Sequence, residues 1–149
     1  MFGEAMPEYA NAAYLARLQA LLNIPTDASQ QDIDQLIGAG FTVDTLDVLC
    51  AAGALSQAER EQIALLGNLD AALARGGRLT VDESEYLFRT AHIFAIAESI
   101  FACDEKAKRW LFSSKQRFSG KSPMAMVCTV PGTRLVEELL AQGAEGFVL

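Results

Sequence analysis

The sequence predicts an all-α protein. Three observations support this fold class. Apolar residues recur with the three- and four-residue spacing of a helical face through most of the 149 residues, whereas strand-like alternation is nearly absent. Serine or threonine precedes an acidic residue by three positions where several of these stripes begin, which is a spacing typical of helix caps. Glycines follow several stripes, as they do at helix ends.

The composition is that of one ordinary domain or two very small ones, with 51% hydrophobic and 21% charged residues. No apolar run approaches the roughly 20 residues that cross a bilayer, and the first residues lack the basic and apolar regions of a signal peptide. Cys50, Cys103 and Cys128 are odd in number and far apart, which disfavours a disulfide framework or a zinc site. We expect a cytoplasmic protein without a membrane segment, metal or cofactor.

Three short amphipathic helices are predicted first. One follows Pro7, the next begins at the capping sequence Ser29–Asp32, and the third spans Thr42–Ala52. Their stripes comprise Tyr14, Leu15, Leu18, Leu21 and Leu22; Ile33, Leu36 and Ile37; and Val43, Leu46, Leu49 and Cys50. The residues that end them are Pro25, Gly38 with Gly40, and Gly53.

A helix-turn-helix is predicted next, over about residues 55–76. Its first helix begins at Ser56–Glu59, which has the spacing of a capping box, and a glycine turn leads into a second short helix over Asn68–Arg75. Another capping box, Thr80–Glu83, begins a helix of about six turns over residues 80–101. This connecting helix is the longest predicted element.

The remaining residues predict a smaller helical part. Asp104 is expected to cap one short helix, Pro123 to occupy the first position of the next, and the last helix to span Thr133–Gln142. We therefore divide the chain into an N-terminal part, residues 1–101, and a C-terminal part, residues 104–149. The second part is too short for a large core of its own, so we expect it to pack on the long helix, on a partner, or on both.

Charge is distributed unevenly along the chain, whose net charge is −7. Up to Gly76 there are ten acidic residues and three arginines, whereas nine acids balance nine bases from Gly77 onward. The bases concentrate, without an intervening acid, at Lys106, Lys108, Arg109, Lys115, Arg117 and Lys121. This run predicts a basic surface in the C-terminal part.

No constellation typical of an active site is found, so an enzyme is not expected. His92 is the only histidine and lacks neighbouring metal ligands, which favours a structural role. Cys103 lies about three helical turns, or about 16 Å, further along, which is too far for a hydrogen bond. Two carboxylate pairs remain: Glu83 with Glu85, and Glu137 with Glu138. Both are expected to be solvated surface groups.

The second half contains an ordered series of motifs. In order they are a Trp-Leu pair, G-x-x-P, T-x-x-G-x-x-x-V-x-x-L-L and a late glycine: Trp110-Leu111, Gly120 to Pro123, Thr129 to Leu140, and Gly146. This series resembles the Xre/MbcA/ParS antitoxin family over about residues 40–149, most specifically in the second half. The resemblance implies an all-helical protein in which an Xre-like helix-turn-helix precedes a toxin-binding domain over residues 104–149.

The resemblance also implies a function. Such a protein is the antitoxin of a type II toxin-antitoxin system, binds and silences a RES-domain toxin that degrades NAD, and represses its own operon. It catalyses nothing, and we expect a homodimer within a toxin-antitoxin hetero-oligomer. The alternative is a stand-alone helix-turn-helix transcriptional regulator. A toxin reading frame adjoining the gene would favour the antitoxin.

The basic run and the chain's last residues are the candidate toxin contacts, because large apolar groups beside bases are typical of interfaces. Trp110 is expected to be core. The terminal segment ends apolar and has a carboxylate that can enter a pocket built for an anionic dinucleotide. The candidate toxin-binding residues are Lys115, Arg117, Phe118, Lys121, Gly146, Phe147, Val148 and Leu149.

Operator DNA is expected to be bound weakly or only by a multimeric assembly. The family pattern has an R-T-x-x-R-R-like run in the second helix of the helix-turn-helix, whereas Ala71 and Ala72 replace the paired arginines here and Asp70 adds a repulsive charge. The remaining candidate DNA contacts are Asn68, Arg75 and Arg78. The segment also suits dimerisation or packing, and the sequence leaves this choice open.

Overall fold

The structure is a computed structural model of the chain, and it describes residues 8–61 and 76–144. Its helices are α1 (Glu8–Leu22), α2 (Gln30–Ala39), α3 (Asp44–Ala52), α4 (Val81–Phe101), α5 (Asp104–Leu111) and α6 (Val130–Ala144). Two 3-10 helices, Gln116–Phe118 and Met124–Cys128, lie between α5 and α6. Within the described ranges the only β pairing is an isolated bridge between Thr42 and Arg78. The all-α prediction is confirmed.

The chain forms two compact units. One comprises Leu18–Ala91, and the other comprises Met1–Arg17 and His92–Leu149. This spatial division differs from the predicted boundary between residues 101 and 104. The reason lies in α4, where every residue from Ile93 to Ala97 is fully buried. A helix that is apolar on all sides belongs to a core rather than to a solvated connection.

Local capping signals predicted helix starts correctly. Ser29 and Asp32 form a reciprocal capping box at α2, with backbone N–H to side-chain oxygen distances of 3.1 and 3.0 Å. Thr80 and Glu83 form the same kind of capping box at α4. The Thr80 N–H lies 2.7 Å from the Glu83 carboxylate, and the Glu83 N–H lies 3.1 Å from the Thr80 hydroxyl. Each such cap stabilises a helix by about 1 kcal/mol. Gly53 ends α3 in the left-handed conformation, as predicted.

The two predicted helix starts near the C-terminal part differ in outcome. Asp104 was expected to cap α5, but it is the first residue of this helix and Cys103 holds the cap position, so this prediction is wrong. The Asp104 carboxylate lies 3.9 Å from the Arg17 guanidinium. Pro123 directly precedes the 3-10 helix Met124–Cys128 and already has helical φ and ψ angles of −53° and −41°, so the start predicted there is within one residue of the observed one. The Ala125 N–H donates to both the hydroxyl and the carbonyl oxygen of Ser122.

The last helix begins three residues earlier than predicted. α6 spans Val130–Ala144, whereas the expected range was Thr133–Gln142. The Thr129 side chain accepts a hydrogen bond from the Gly132 N–H at 3.0 Å, and the Thr129 carbonyl accepts one from the Thr133 N–H at 3.0 Å. Thr129 is therefore the N-cap, and the proline that follows lies in the first turn, where its missing N–H costs little.

The apolar stripes differ in their burial. Leu18, Leu21 and Leu22 of α1 are buried, whereas α2 has no buried residue. Most of the predicted helix-turn-helix over residues 55–76 lies outside the described residues. In the part of it that is described, residues 57–61 are helical. Among the helices described, none is both long and apolar enough to cross a membrane.

Candidate functional site

Three of the predicted toxin-binding bases lie on one short closed loop, Lys115–Lys121, which we call the basic loop. The Lys115 N–H donates to the Lys121 carbonyl at 3.0 Å, and the Gly120 N–H donates to the Lys115 carbonyl at 3.0 Å. Ser119 and Gly120 have positive φ angles of 56° and 85°, which turn the chain back on itself. The backbone therefore holds Lys115, Arg117 and Lys121 close together before any partner binds.

Aromatic side chains fix this loop to the rest of its unit. Phe118, a predicted toxin contact, is only 7% exposed, so its ring holds the loop in place rather than forming part of the open surface. Trp110 is likewise buried, as predicted for a core residue. The Lys115 ammonium lies over the Trp110 ring, 5.1 Å from its centroid. Partial burial lowers the pKa of Lys115, because the charged form loses hydration.

A groove of about 430 Å³ opens beside the basic loop, and the described residues that line it are Lys115, Gln116, Arg117 and Leu139. Leu135 lies one helical turn before Leu139 on α6 and is 47% exposed. The sequence analysis did not select Gln116 or Leu139 as site residues. The four-residue spacing of the two leucines was a signal, but it is equally typical of a core stripe.

A hydrogen-bonded chain joins α1, α4 and α6 in the same unit. The Tyr14 hydroxyl lies 2.6 Å from Nδ1 of His92, and Nε2 of His92 lies 3.0 Å from the Glu137 carboxylate. Burial raises the pKa of Tyr14, and the negative charge of Glu137 adds to this effect. Tyr14 therefore stays a hydroxyl donor, and we assign the imidazole proton to Nε2, facing Glu137. His92 has a structural position, as the sequence predicted.

A second polar cluster lies where α1, α4 and α5 meet. Arg17 donates through Nε to the carboxylate of Glu98, which is 9% exposed. Burial raises the pKa of Glu98 to about 7, a hydrogen bond that the protonated Glu98 carboxyl donates to the Asp104 carboxylate adds to the increase, and Arg17 opposes it. Hydrogen bonding to Glu98 in turn lowers the pKa of Asp104. Neither this cluster nor any other in the described ranges groups three or more potential metal ligands.

The other predicted site residues lie elsewhere. Arg78 belongs to the Leu18–Ala91 unit, where it donates to the Gly40 carbonyl at 2.9 Å. Asn68 and Arg75, and the terminal residues Gly146, Phe147, Val148 and Leu149, lie outside the described residues. The structure thus brings together three toxin-binding candidates and places the one described DNA-binding candidate in the other unit.

Comparisons with known proteins identify the family. Residues 97–146 match the antitoxin Xre/MbcA/ParS C-terminal toxin-binding domain. A protein of Pseudomonas putida strain KT2440 described as Antitoxin Xre is 48% identical over 149 residues, which cover 100% of this chain and 94% of that protein. This chain belongs to the Xre/MbcA/ParS antitoxin family. It is an antitoxin of a toxin-antitoxin system, as the motif series predicted.

The toxin-binding domain of this antitoxin, residues 97–146, contains the basic loop and the groove. The presence of this domain implies that the antitoxin has a toxin as its partner, which confirms the general part of the predicted partnership. Membership in an antitoxin family also suggests a regulatory rather than an enzymatic role. The basic loop is thus part of the domain whose family role is to contact the toxin.

Proposed function

We propose that this antitoxin neutralises a RES-type, NAD-degrading toxin by binding it directly through residues 104–149. The observation on which this rests is the match of residues 97–146 to the toxin-binding domain. The ordered motifs of the second half, which resemble antitoxins encoded beside RES-domain toxins, support the choice of toxin class. The closed basic loop supplies charges that can steer association and fix its register.

The C-terminal segment is the proposed occluding element. Gly146 is the last residue of the matched toxin-binding domain, and the apolar residues Phe147, Val148 and Leu149 follow it. A short apolar segment suits a mostly apolar ligand pocket. We expect this segment to cover or enter the mouth of the toxin's active site, so that NAD is excluded.

Co-purification and NAD consumption test the proposal. The antitoxin is expected to co-purify with the protein encoded in the reading frame beside its gene, and to suppress the loss of NAD that this protein causes. An antitoxin lacking Gly146–Leu149 is expected to remain folded and to bind, but to restore NAD loss. Full neutralisation by this shortened chain would contradict occlusion, whereas no binding by the full chain would contradict the RES-type partnership.

We also propose that the antitoxin represses its own operon. In this proposal the form that binds operator DNA is an antitoxin homodimer within the toxin complex. Only Arg78 among the candidate DNA contacts is described, and its guanidinium already donates to a backbone carbonyl. The acidic N-terminal half also repels phosphate. We therefore expect weak operator binding by the antitoxin alone and tighter binding by its toxin complex in gel-shift titrations at fixed salt. Tight binding by the antitoxin alone would favour a stand-alone regulator.

Cys50, Cys103 and Cys128 form no disulfide bond. Reduced thiols are typical of the cytoplasm, which is where we propose that the antitoxin meets its toxin. A fractionation of cells that express the tagged antitoxin checks this location, and an antitoxin recovered outside the cytoplasm would contradict it.

A further inference from the structure

The groove beside the basic loop lacks a negative partner within the described part of the chain. Among the described residues, the ion pairs include those of Arg17, Arg60 and His92, and none involves Lys115, Arg117 or Lys121. The run from Lys106 to Lys121 contains no acidic residue, although the chain as a whole has a net charge of −7. The groove therefore presents a local positive potential in an acidic protein, which attracts a partner's carboxylates.

The surface next to the groove is apolar at one point. Leu139 lines the groove but is only 4% exposed, whereas Leu135, one turn earlier on α6, is 47% exposed. The two leucines share one face of α6, on which Leu135 is the accessible apolar group. A ligand that used the bases alone would leave Leu135 in contact with water, so the complementary ligand has both a negative and an apolar group.

We propose that the groove receives a segment of the toxin in which an aspartate or glutamate stands beside an apolar side chain. The carboxylate pairs with Lys115 and Arg117, and the apolar side chain covers the exposed Leu135 next to the groove. Gln116, between the two bases, offers an amide to the backbone of the bound segment. This inference rests on the proposed function, because it specifies which surface of the toxin-binding domain the toxin contacts.

The loop is organised in advance for this contact. Its hydrogen bonds from Lys115 to Lys121 and from Gly120 to Lys115 fix the backbone, and the buried ring of Phe118 fixes the loop to the unit. Little ordering entropy is then lost when the segment binds, so more of the interaction energy contributes to affinity. The Lys115 ammonium over Trp110 is already partly desolvated, which strengthens its attraction to a carboxylate.

The surroundings favour a polypeptide over a nucleic acid. Glu138 lies on α6 between the two leucines and is exposed. A nucleic acid backbone, with a charge at every phosphate, would be repelled there and would gain nothing from the leucines. A polypeptide segment places one carboxylate at the bases and presents apolar atoms elsewhere.

Two substitutions at the proposed contact surface, one in the groove and one beside it, and a third substitution away from this surface test the proposal. The full-length antitoxin variants Arg117→Glu and Leu135→Asp are compared with Lys106→Glu, which makes the same charge change at an exposed lysine that does not line the groove. The binding partner is the purified protein encoded beside the antitoxin gene, and affinity is measured by calorimetry at fixed salt. Trp110 fluorescence and urea unfolding establish that each variant is folded.

We expect Arg117→Glu and Leu135→Asp each to bind roughly tenfold more weakly or worse, and Lys106→Glu to remain within about threefold of the wild type. Wild-type affinity in the double variant Arg117→Glu/Leu135→Asp would overturn the groove assignment and leave the antitoxin function intact. Absence of binding by the wild type would instead overturn the proposed function.

Cross-linking identifies the bound segment. A photoreactive amino acid at Gln116 is expected to cross-link to a toxin peptide that contains Asp or Glu next to an apolar residue. A cross-linked peptide without an acidic residue would overturn the proposal. A short DNA duplex and a single-stranded RNA of the same length serve as additional probes, and binding of either one that Arg117→Glu abolishes would overturn it in favour of a nucleic acid.

Discussion

The substitution Gly132→Ala is expected to destabilise the toxin-binding domain substantially. A Cβ at this position would lie 2.0 Å from the Met126 carbonyl oxygen and 2.9 Å from the Thr129 hydroxyl. Real Cβ contacts essentially never fall below 3.0 Å, so the backbone must shift by about 1 Å. Overpacking of this kind costs about 1–3 kcal/mol, and the shift also lengthens the capping bond from Gly132 to Thr129, which contributes about 1 kcal/mol.

Alanine favours a helix over glycine by about 1 kcal/mol, which offsets part of this cost. The net loss is then about 1–3 kcal/mol, equivalent to a melting temperature lower by about 2–12 °C for a chain of this size. The matched control is Gly38→Ala in α2, where a Cβ meets nothing within 4 Å. We expect the control to be stabilised by about 0.5–1 kcal/mol.

Urea unfolding measures both variants. Far-UV circular dichroism reports on all helices, and the fluorescence of Trp110, the single tryptophan, reports on the unit that contains Gly132. The midpoint is expected to fall for Gly132→Ala and to rise for Gly38→Ala. If Gly132→Ala matched the wild type or gained stability as the control does, the close approach of α6 to the Met126 carbonyl would be refuted.

Three further substitutions probe the buried contacts. Tyr14→Phe removes the hydroxyl donor to His92 and should lower the free energy of unfolding by about 1 kcal/mol in urea titrations; an unchanged midpoint would speak against this hydrogen bond. Because the pKa of Glu98 rises from 4.5 to about 7 on folding, the folded state retains a proton that the unfolded chain releases. Stability should therefore fall as the pH rises from about 4.5 to about 7, and less steeply in Glu98→Gln; parallel pH profiles would contradict this. Gly40→Ala should lower the melting temperature, since its φ is +87° and a Cβ would lie 2.2 Å from the Leu79 carbonyl oxygen, and an unaltered melting curve would show that this turn can relax.

Helix starts were predictable where the signal lies within one turn of the chain. The capping boxes at Ser29 and Thr80 join residues three apart, so no tertiary information is needed to recognise them. The start at Thr129 was missed because proline and glycine follow it, and both are poor helix formers in a helix interior. In the first turn neither is costly, and the motif T-x-x-G acquires a physical reason: threonine caps α6, while glycine permits its close approach to the preceding 3-10 helix.

The site was predictable only in its charges. A run of six bases without an acid indicates a basic surface whatever the fold, and the structure places Lys115 and Arg117 on one groove. The burial of Phe118 depends on how the basic loop folds back on its unit. The position of Leu139 in the lining of the groove depends on how α6 packs. Both are tertiary effects, because an apolar residue beside bases is equally compatible with a core and an interface.

The buried polar contacts extend the structural requirements of the toxin-binding domain beyond the residues that match the family. Three of the contributing residues lie outside residues 97–146. His92 hydrogen-bonds to Glu137 and to Tyr14, and Arg17 pairs with Glu98. Removing Arg17 would leave the buried Glu98 without its cation, which is expected to raise the pKa of this carboxyl further and to destabilise the unit. The residues of α1 up to Arg17 therefore belong to the structural unit that positions the basic loop. Changes far from the loop in sequence are expected to weaken toxin binding through the shape of this unit.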